Sequence, residues 1–206
     1  MYFLESLKEL REKSKKRNFD QTLDLIINLK NFDARRDSLN TFTLLPHIIK
    51  KKKICAFLEH PSESVDYSIN KADIDRISPN EIKKMTKEYD FFICSARLMP
   101  IIATKFGKIL GIAGKMPDPK MGGVIMQEND DVIKDSVTKL LKMIKIRAKE
   151  SSLKIPIGKE SMADQELVDN ANEVLKAAVA ALPKKELNIK SVMFKFTMSK
   201  PVKVKK

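Results

Sequence analysis

Two basic clusters next to hydroxyl-bearing residues are the parts of this sequence whose residue types could do chemistry. Lys15–Arg17 stand shortly before Thr22 and Asp24, and Thr197–Ser199 are followed by Lys200 near the other end. Lysine and arginine bind phosphates, while hydroxyl and backbone groups contact sugars, including the 2′-hydroxyl of RNA. A single lysine cluster is usually only a solvated surface. Because both clusters flank predicted strands of one domain, we interpret them as an RNA-binding surface.

The net charge of the chain favours the same class of partner. Its 206 residues include 40 lysines and arginines against 27 aspartates and glutamates, which gives a formal charge of +13 and a pI of about 9.6. A surplus of this size favours a polyanionic partner over a merely solubilising surface. A hydrophobic fraction of 43% allows a buried core. There is no run of about 18 apolar residues, so we expect no membrane partner.

A glycine-rich segment over residues 107–123 raises the possibility of a phosphate-binding loop. The spacing is wrong for that motif, because Ile109 stands five residues before Gly114-Lys115 and Met116 replaces the serine or threonine that would hold magnesium. The dinucleotide pattern of three spaced glycines is also absent. We therefore predict a loop in which the glycines permit tight backbone turns, and no nucleotide cofactor.

The residues that usually form catalytic or metal sites are few and scattered. His47 and His60 are the two histidines, and neither has a nucleophile or carboxylate partner in its local sequence. No cysteine and histidine have the spacing of zinc ligands. Cys55 and Cys94 each lie in an apolar segment, which favours two buried, reduced thiols. The sequence predicts no enzyme, no cofactor and no metal.

A change of hydrophobic pattern near residue 50 divides the chain. Residues 22–30 alternate apolar and polar side chains, which predicts a strand with one face on a core. After the lysines Lys50–Lys53, Ile54–Leu58 form a solid apolar run, typical of a strand buried on both faces. Solid strands and helical patterns then alternate until about residue 141. We predict a split domain built from both ends of the chain, with an inserted α/β domain that contains a parallel sheet.

The same patterns predict the individual elements. Two alternating segments, Met143–Ile146 and Leu153–Ile157, are separated by a serine-rich turn and predict a hairpin. Helices are expected at 3–13, 81–88, 98–106, 131–141 and 164–182. Further strands are expected at 41–45, 91–94 and 189–197.

Short segments along the chain resemble, in order, the motifs of the ribosomal L-one family. Each segment alone is weak, but together they cover nearly the whole chain and are specific. The segments are KRNFDQTLD (16–24), LLPH (44–47), YDFF (89–92), LMP (98–100), ILGIAGKMP (109–117), IGKESM (157–162), LVDN (167–170) and TMSKP (197–201).

The resemblance implies a fold and a set of RNA contacts. The fold is the two-domain L-one fold of the α/β class. It has an α+β RNA-binding domain of residues 1–51 and 141–206 and an inserted Rossmann-like, three-layer domain of residues 52–140. Matching by position places Phe19, Thr22, Asp24, Thr197 and Met198 at RNA contacts. Charge and proximity add Lys16, Arg17 and Lys159, and the closing segment adds Ser199 and Lys200 as expected contacts.

The resemblance also implies a function that is not enzymatic. A member of this family would be a structural constituent of the large ribosomal subunit in the cytoplasm. It would bind large-subunit rRNA at the mobile stalk, and would support the movement and release of tRNA at the exit site. Three alternatives stay open: a translational repressor that binds its own messenger, a nucleotide-using enzyme, and an RNA-binding module that acts away from the ribosome.

The sequence departs from the family pattern in two places. The closing motif usually has glycine after the threonine-methionine pair, and this chain has Ser199 there. A serine side chain is expected to shift the RNA contact that a glycine backbone would make. The segment Glu59–Ser78 is shorter than the family pattern implies, so we expect the inserted domain to lose a helix.

Overall fold

The computed structural model describes residues 2–33, 39–62, 64–148 and 150–205, which fold into two compact units. The first unit comprises Met1–Lys50 and Lys142–Lys206, and the second comprises Lys51–Leu141. Over the described residues, every helix is too short or too polar to cross a membrane.

The elements are numbered in chain order. The helices are α1 (Phe3–Lys13), α2 (Lys71–Ile74), α3 (Pro79–Glu88), α4 (Met99–Ala113), α5 (Asp130–Lys142) and α6 (Asp164–Ala181). The strands are β1 (Thr22–Leu29), β2 (Asn40–Leu44), β3 (Ile54–Leu58), β4 (Tyr67–Asn70), β5 (Phe91–Ser95), β6 (Val124–Ile125), β7 (Met143–Arg147), β8 (Ser152–Lys159), β9 (Ile189–Phe196) and β10 (Val202–Lys203).

The first unit is an antiparallel sheet with helices on one face. Its strand order is β10-β9-β1-β8. The alternation of β1 places Leu23, Leu25 and Ile27 on the inner face, where they are fully buried, while the residues between them are half-buried on the other face. Helices α1 and α6 contribute buried side chains to the same core. The opposite face of this sheet is therefore the polar one.

The hairpin expected over residues 143–157 is wrong. Strand β7 pairs with β2 in a separate two-stranded sheet, whereas β8 pairs with β1. Strand β8 has the predicted alternation of side chains up to Ile157, whereas β7 buries Met143 and Ile146, which are three positions apart. That alternation reports which face is buried and carries no information on the partner strand, so neighbouring strands were assigned to each other incorrectly.

The second unit is a parallel sheet of four strands in the order β4-β3-β5-β6. Every residue of β3 is buried, which explains its uninterrupted apolar sequence. One face packs against α3 and α4 through Ile82, Ile102 and Phe106. This parallel sheet packed with helices, together with the α+β first unit, confirms the predicted fold class.

The loop predicted to begin at Gly107 is wrong in its first half. Helix α4 continues to Ala113 and ends at Gly114, whose φ of 68° is the left-handed conformation that glycine favours at a helix end. The buried Leu110 and its packing outweigh the low helix propensity of the neighbouring glycines. Lys115 Nζ donates to the carbonyls of Thr86 and Tyr89 at 2.8 and 2.7 Å, so this lysine caps the end of α3.

The connection from β3 to β4 is unusually short for parallel strands. Residues 59–66 separate the two strands, and the described residues among them form no helix. Parallel neighbours are normally joined through about a dozen or more residues, most often a helix. The four-residue α2 follows β4 directly, so the described part of this segment has no full crossover helix.

Candidate nucleic-acid interface

Three segments of the first unit meet where β1 begins and where β8 and β9 end. We call this region, residues 19–22, 159–161 and 197–199, the strand-end corner. The main-chain N–H of Thr22 donates to Thr197 Oγ1 at 3.1 Å, and the N–H of Thr197 donates to the Thr22 carbonyl at 3.1 Å. The Thr197 hydroxyl thus accepts from the backbone of Thr22. These two predicted RNA-contact residues lie 175 positions apart in sequence and are joined here.

Lys159 joins this pair because of an irregularity in β8. The register of β8 against β1 shifts between Leu23 and Asp24, so that Lys159 lies opposite Thr22. Its ammonium donates to Thr22 Oγ1 at 3.0 Å. A Cβ at the preceding Gly158 would lie 2.1 Å from Leu167 Cδ2 of α6, so a larger residue there would displace this buried leucine side chain.

A buried glutamine lies beneath the corner. Gln21 is 1% exposed, and its side-chain carbonyl accepts from the Met198 main-chain N–H at 3.1 Å. Its amide nitrogen donates to Glu160 Oε2 at 3.1 Å, and the Glu160 N–H donates to the Gln21 carbonyl at 2.8 Å. The three segments of the corner are therefore linked by one side chain.

The segment after β8 is held from two further directions. Asp20 accepts from the main-chain N–H and the hydroxyl of Ser161 at 3.1 and 2.9 Å. Arg11 of α1 donates from Nε to Asp164 at 2.8 Å and from its terminal nitrogens to the carbonyls of Glu160 and Met162. The corner is therefore fixed to the helical layer before any ligand binds.

Two large apolar side chains of the corner point into solvent. Phe19 is 51% exposed and Met198 is 61% exposed. An exposed aromatic ring and an exposed thioether, flanked by cations, suit contact with the faces of unpaired bases. The structure therefore places these two predicted residues on an accessible surface.

Ser199 closes the turn that carries Met198. Its hydroxyl accepts from the Phe196 N–H at 2.9 Å, and its own N–H donates to the Phe196 carbonyl at 3.1 Å. Among the described residues other than glycine, only Asn31 and Lys185 have positive φ, so Ser199 carries no strain of that kind. The serine thus turns its hydroxyl back onto the backbone of its own turn.

Asp24 lies farther along the outer face of β1. It is half-buried and opposite Lys195 of β9 and Pro156 of β8. Burial raises the pKa of its carboxyl above the ordinary value, and the charge of Lys195 opposes this shift. A carboxylate in this position repels phosphates, so its expected role is contact with a hydrogen-bond donor of the nucleic acid.

A cationic groove adjoins the corner between the end of α1 and the β10 edge of the sheet. Its volume is about 1210 Å³. Among the described residues that line it, Glu9 is the one carboxylate. The cations that line it are Lys13, Lys15, Arg17, Lys190, Lys200, Lys203 and Lys205. Cations at this density lower the free energy of a nearby phosphate backbone.

The predicted residues divide between the corner and the groove. Arg17 and Lys200 line the groove, together with Met198 and Ser199, which therefore belong to both. Lys16 is exposed in the segment that joins α1 to the corner, but it does not line the groove. The structure thus brings together all of the predicted residues except Lys16 and Asp24.

Sequence reasoning missed several residues of this surface. Gln21 and Glu160 were missed because nothing in the sequence distinguishes a buried, bonded polar residue from a solvated one. Lys190 was missed because it stands alone at the start of β9, more than 170 positions from the α1 residues of the groove. The clusters Lys13–Arg17 and Lys200–Lys205 carried a signal in their charge density.

The carboxyl ends of the parallel strands in the second unit form the edge where ligands usually bind in parallel α/β folds. Here the Glu128 carboxylate accepts from the Glu59 N–H at 3.0 Å and from the His60 N–H at 3.2 Å. Glu128 follows β6, so it reaches past the end of β5 to bind the residues after β3. The backbone donors that could hold a phosphate at this position are thus occupied by an internal anion.

The thiols lie in the same sheet. Cys55 and Cys94 are free and buried, and burial raises the pKa of each thiol to about 12. The negative charge of Glu128 also raises the pKa of Cys94, by less than burial does. Such thiols remain protonated and unreactive at neutral pH. No cluster of three or more histidine, cysteine, aspartate or glutamate residues suited to a metal occurs in the described part of the chain.

Comparison with known proteins gives one consistent match. The model of the ribosomal protein L1p/L10e family matches residues 10–200. Relatives named large ribosomal subunit protein uL1 include those of Nanoarchaeum equitans, 32% identical over 99% of this chain and 100% of the relative, and Pyrococcus abyssi, 35% identical over 98% and 94%. The relative of Methanocaldococcus jannaschii is 36% identical, again over 98% and 94%. The chain therefore belongs to the ribosomal protein L1p/L10e family, as its motifs predict.

Proposed function

We propose that this chain is a structural, non-enzymatic constituent of the large ribosomal subunit that binds large-subunit rRNA. At a finer level, the RNA is the pair of helices of the mobile stalk, and the chain supports the movement and release of tRNA at the exit site. On this proposal the protein works in the cytoplasm. Residues 1–51 and 141–206 form the RNA-binding domain, and residues 52–140 form the inserted domain.

The observation that carries the proposal is the junction of the cationic groove with the strand-end corner. The groove offers charge to a phosphate backbone, and the corner offers exposed Phe19 and Met198 beside hydroxyl and backbone groups. Phosphate contacts supply salt-dependent affinity and position the RNA. Contacts with unpaired bases and 2′-hydroxyls supply the selectivity for one folded RNA element.

The corner is suited to a preformed RNA element. Thr22, Lys159 and Thr197 are already held by one another, and Met198 is fixed by Gln21. A surface that is ordered before binding loses little conformational freedom on binding. We therefore attribute shape recognition to the corner and most of the affinity to the groove.

Variants of the corner test the assignment of residues. Phe19→Ala and Thr197→Val should each weaken binding of a stalk-helix RNA by about tenfold, since a base contact is lost in the first and the geometry of Thr22 in the second. Filter binding at fixed salt measures this. Ile112→Ala and Thr138→Val are matched controls on exposed sites of the second unit and should bind normally. Unchanged affinity in both corner variants would place the RNA elsewhere.

The ribosomal assignment has its own test. The full chain should sediment with large subunits through a sucrose cushion at physiological salt. It should be released in proportion to added stalk RNA and not to an unrelated helix of equal length. A chain that stays unbound in the presence of intact subunits would refute the proposal.

A further inference from the structure

Gln21 is among the few polar side chains of the first unit that are removed almost completely from solvent. A buried amide is costly unless both of its ends find partners. The Gln21 side-chain carbonyl accepts from the Met198 N–H and its amide nitrogen donates to Glu160. Because the first partner can only donate and the second is a carboxylate, the orientation of the amide is fixed by its surroundings.

This bonding pattern singles out glutamine. Glutamate in its ionised form could accept from Met198 but could not donate to Glu160, and methionine could not donate and could accept only weakly through its sulfur. The main-chain bond from the Glu160 N–H to the Gln21 carbonyl, at 2.8 Å, keeps the two residues side by side. The Gln21 amide thus transmits the position of the Glu160 carboxylate to the backbone of Met198.

We propose that Gln21, held by Glu160, is a positioning residue that sets the Thr197-Met198 turn for RNA and does not touch the RNA itself. The inference rests on the proposed function, because the turn matters only if it contacts RNA. Gln21 is buried beneath the exposed Met198 side chain and has no open path to a ligand. Its effect on RNA is therefore exerted through the main chain of Met198.

The first experiment introduces a second carboxylate at the same volume. Gln21→Glu at pH 8 faces the ionised Glu160, so the pair repels and the bond is lost. At pH 5 a proton shared by the two carboxyls restores a donor. Full-length Gln21→Glu should bind stalk RNA about tenfold more weakly than the wild type at pH 8, and nearly as well at pH 5. An RNA affinity of Gln21→Glu equal to that of the wild type at pH 8 would overturn the proposal.

The second experiment exchanges the partners. In Gln21→Glu combined with Glu160→Gln, the new glutamine donates and the new glutamate accepts from both of its neighbours. The double variant should recover binding at pH 8 to within about threefold of the wild type. Glu160→Gln alone keeps an acceptor for Gln21 and completes the cycle of variants. Failure of the exchange to rescue binding would show that Gln21 acts in some other way.

Gln165→Glu is the matched control. Gln165 also donates to a carboxylate, Asp169 at 3.2 Å, but on the exposed surface of α6. It undergoes the same change of charge, so a general electrostatic loss of RNA affinity would appear in it as well. Its affinity should stay within about twofold of the wild type at both pH values.

A measurement without RNA separates this inference from the proposed function. Hydrogen exchange at the Met198 amide should be at least tenfold faster in Gln21→Met than in the wild type, and unchanged in Gln165→Glu. If the wild type binds no stalk RNA but exchange at the Met198 amide is faster in Gln21→Met, the proposed function fails and the positioning role of Gln21 is supported. If exchange at Met198 is unchanged in Gln21→Met, the positioning role of Gln21 is refuted whatever the result with RNA. Glu160→Ala, at a half-buried site, gives the same readout if Gln21 variants do not fold.

Discussion

The two units of the chain distribute charge very differently. In the first, 25 lysines and arginines against 14 aspartates and glutamates leave a net charge of +11, whereas 15 against 13 leave only +2 in the second. Nearly the whole excess of the molecule therefore lies in the unit that carries the groove. The positive charge of the chain can thus be traced to its first unit. The polyanionic partner that this charge favours is therefore assigned to the same unit.

The two four-stranded sheets differ in how their polar groups are used. The antiparallel sheet of the first unit has a polar face, and its strand ends present Thr22, Lys159 and Thr197. The parallel sheet of the second unit buries every residue of β3. At its carboxyl edge Glu128 occupies the backbone donors. One sheet offers unused surface to a partner, while the other satisfies its polar groups internally.

Reversal of charge should break this contrast most strongly. Lys200→Glu with Lys203→Glu, in the groove, should weaken binding of stalk RNA by about a hundredfold and lower the salt slope by at least about two. Lys83→Glu with Lys84→Glu makes the same change on exposed positions of α3 in the second unit and should have little effect. Titrations at several salt concentrations measure both quantities. Equal losses in the two pairs would mean that overall charge alone governs binding.

The features that sequence predicted are those with a local signal. The alternation of β1 and the solid apolar run of β3 report burial directly, so these strands were predicted correctly. The pairing of β7 and β8 was not, because strand partners are chosen by packing across the whole unit. For the same reason the groove was visible only as separate lysine clusters, and Lys190 and Gln21 were not recognised at all.

The pH dependence of stability should distinguish a half-buried carboxylate on the polar face of the first unit, Asp24, from an exposed one in the second unit. Burial raises the pKa of Asp24 in the folded state, so the fold favours the protonated carboxyl. That contribution is present below the pKa of the unfolded chain and is lost as the pH rises through the folded value. Asp24→Asn removes the cost of the buried charge and should raise the melting temperature at pH 7 by at most about 2–4 °C.

The same substitution should have no effect on stability near pH 2, where the wild-type carboxyl is already protonated. Thermal melts at the two pH values measure the difference. Asp131→Asn, at the start of α5 in the second unit, is the control and should not stabilise, because a carboxylate there is favoured by the helix dipole. A stability gain for Asp24→Asn that is equal at pH 2 and pH 7 would exclude desolvation of the carboxylate as its cause.

The smallest expected effect concerns the carboxyl edge of the parallel sheet in the second unit. If Glu128 takes the place of an anionic ligand, then Glu128→Ala frees the N–H groups of Glu59 and His60, and inorganic phosphate should bind there at about millimolar concentration. Phosphate titration followed at these two amide resonances detects such binding even if the cationic groove also binds phosphate. The wild type and Glu88→Ala, which removes a surface carboxylate paired with Lys53, should show no shift at these amides. If the two amide resonances do not shift in Glu128→Ala, then the fold, and not this carboxylate, keeps anions from this edge of the sheet.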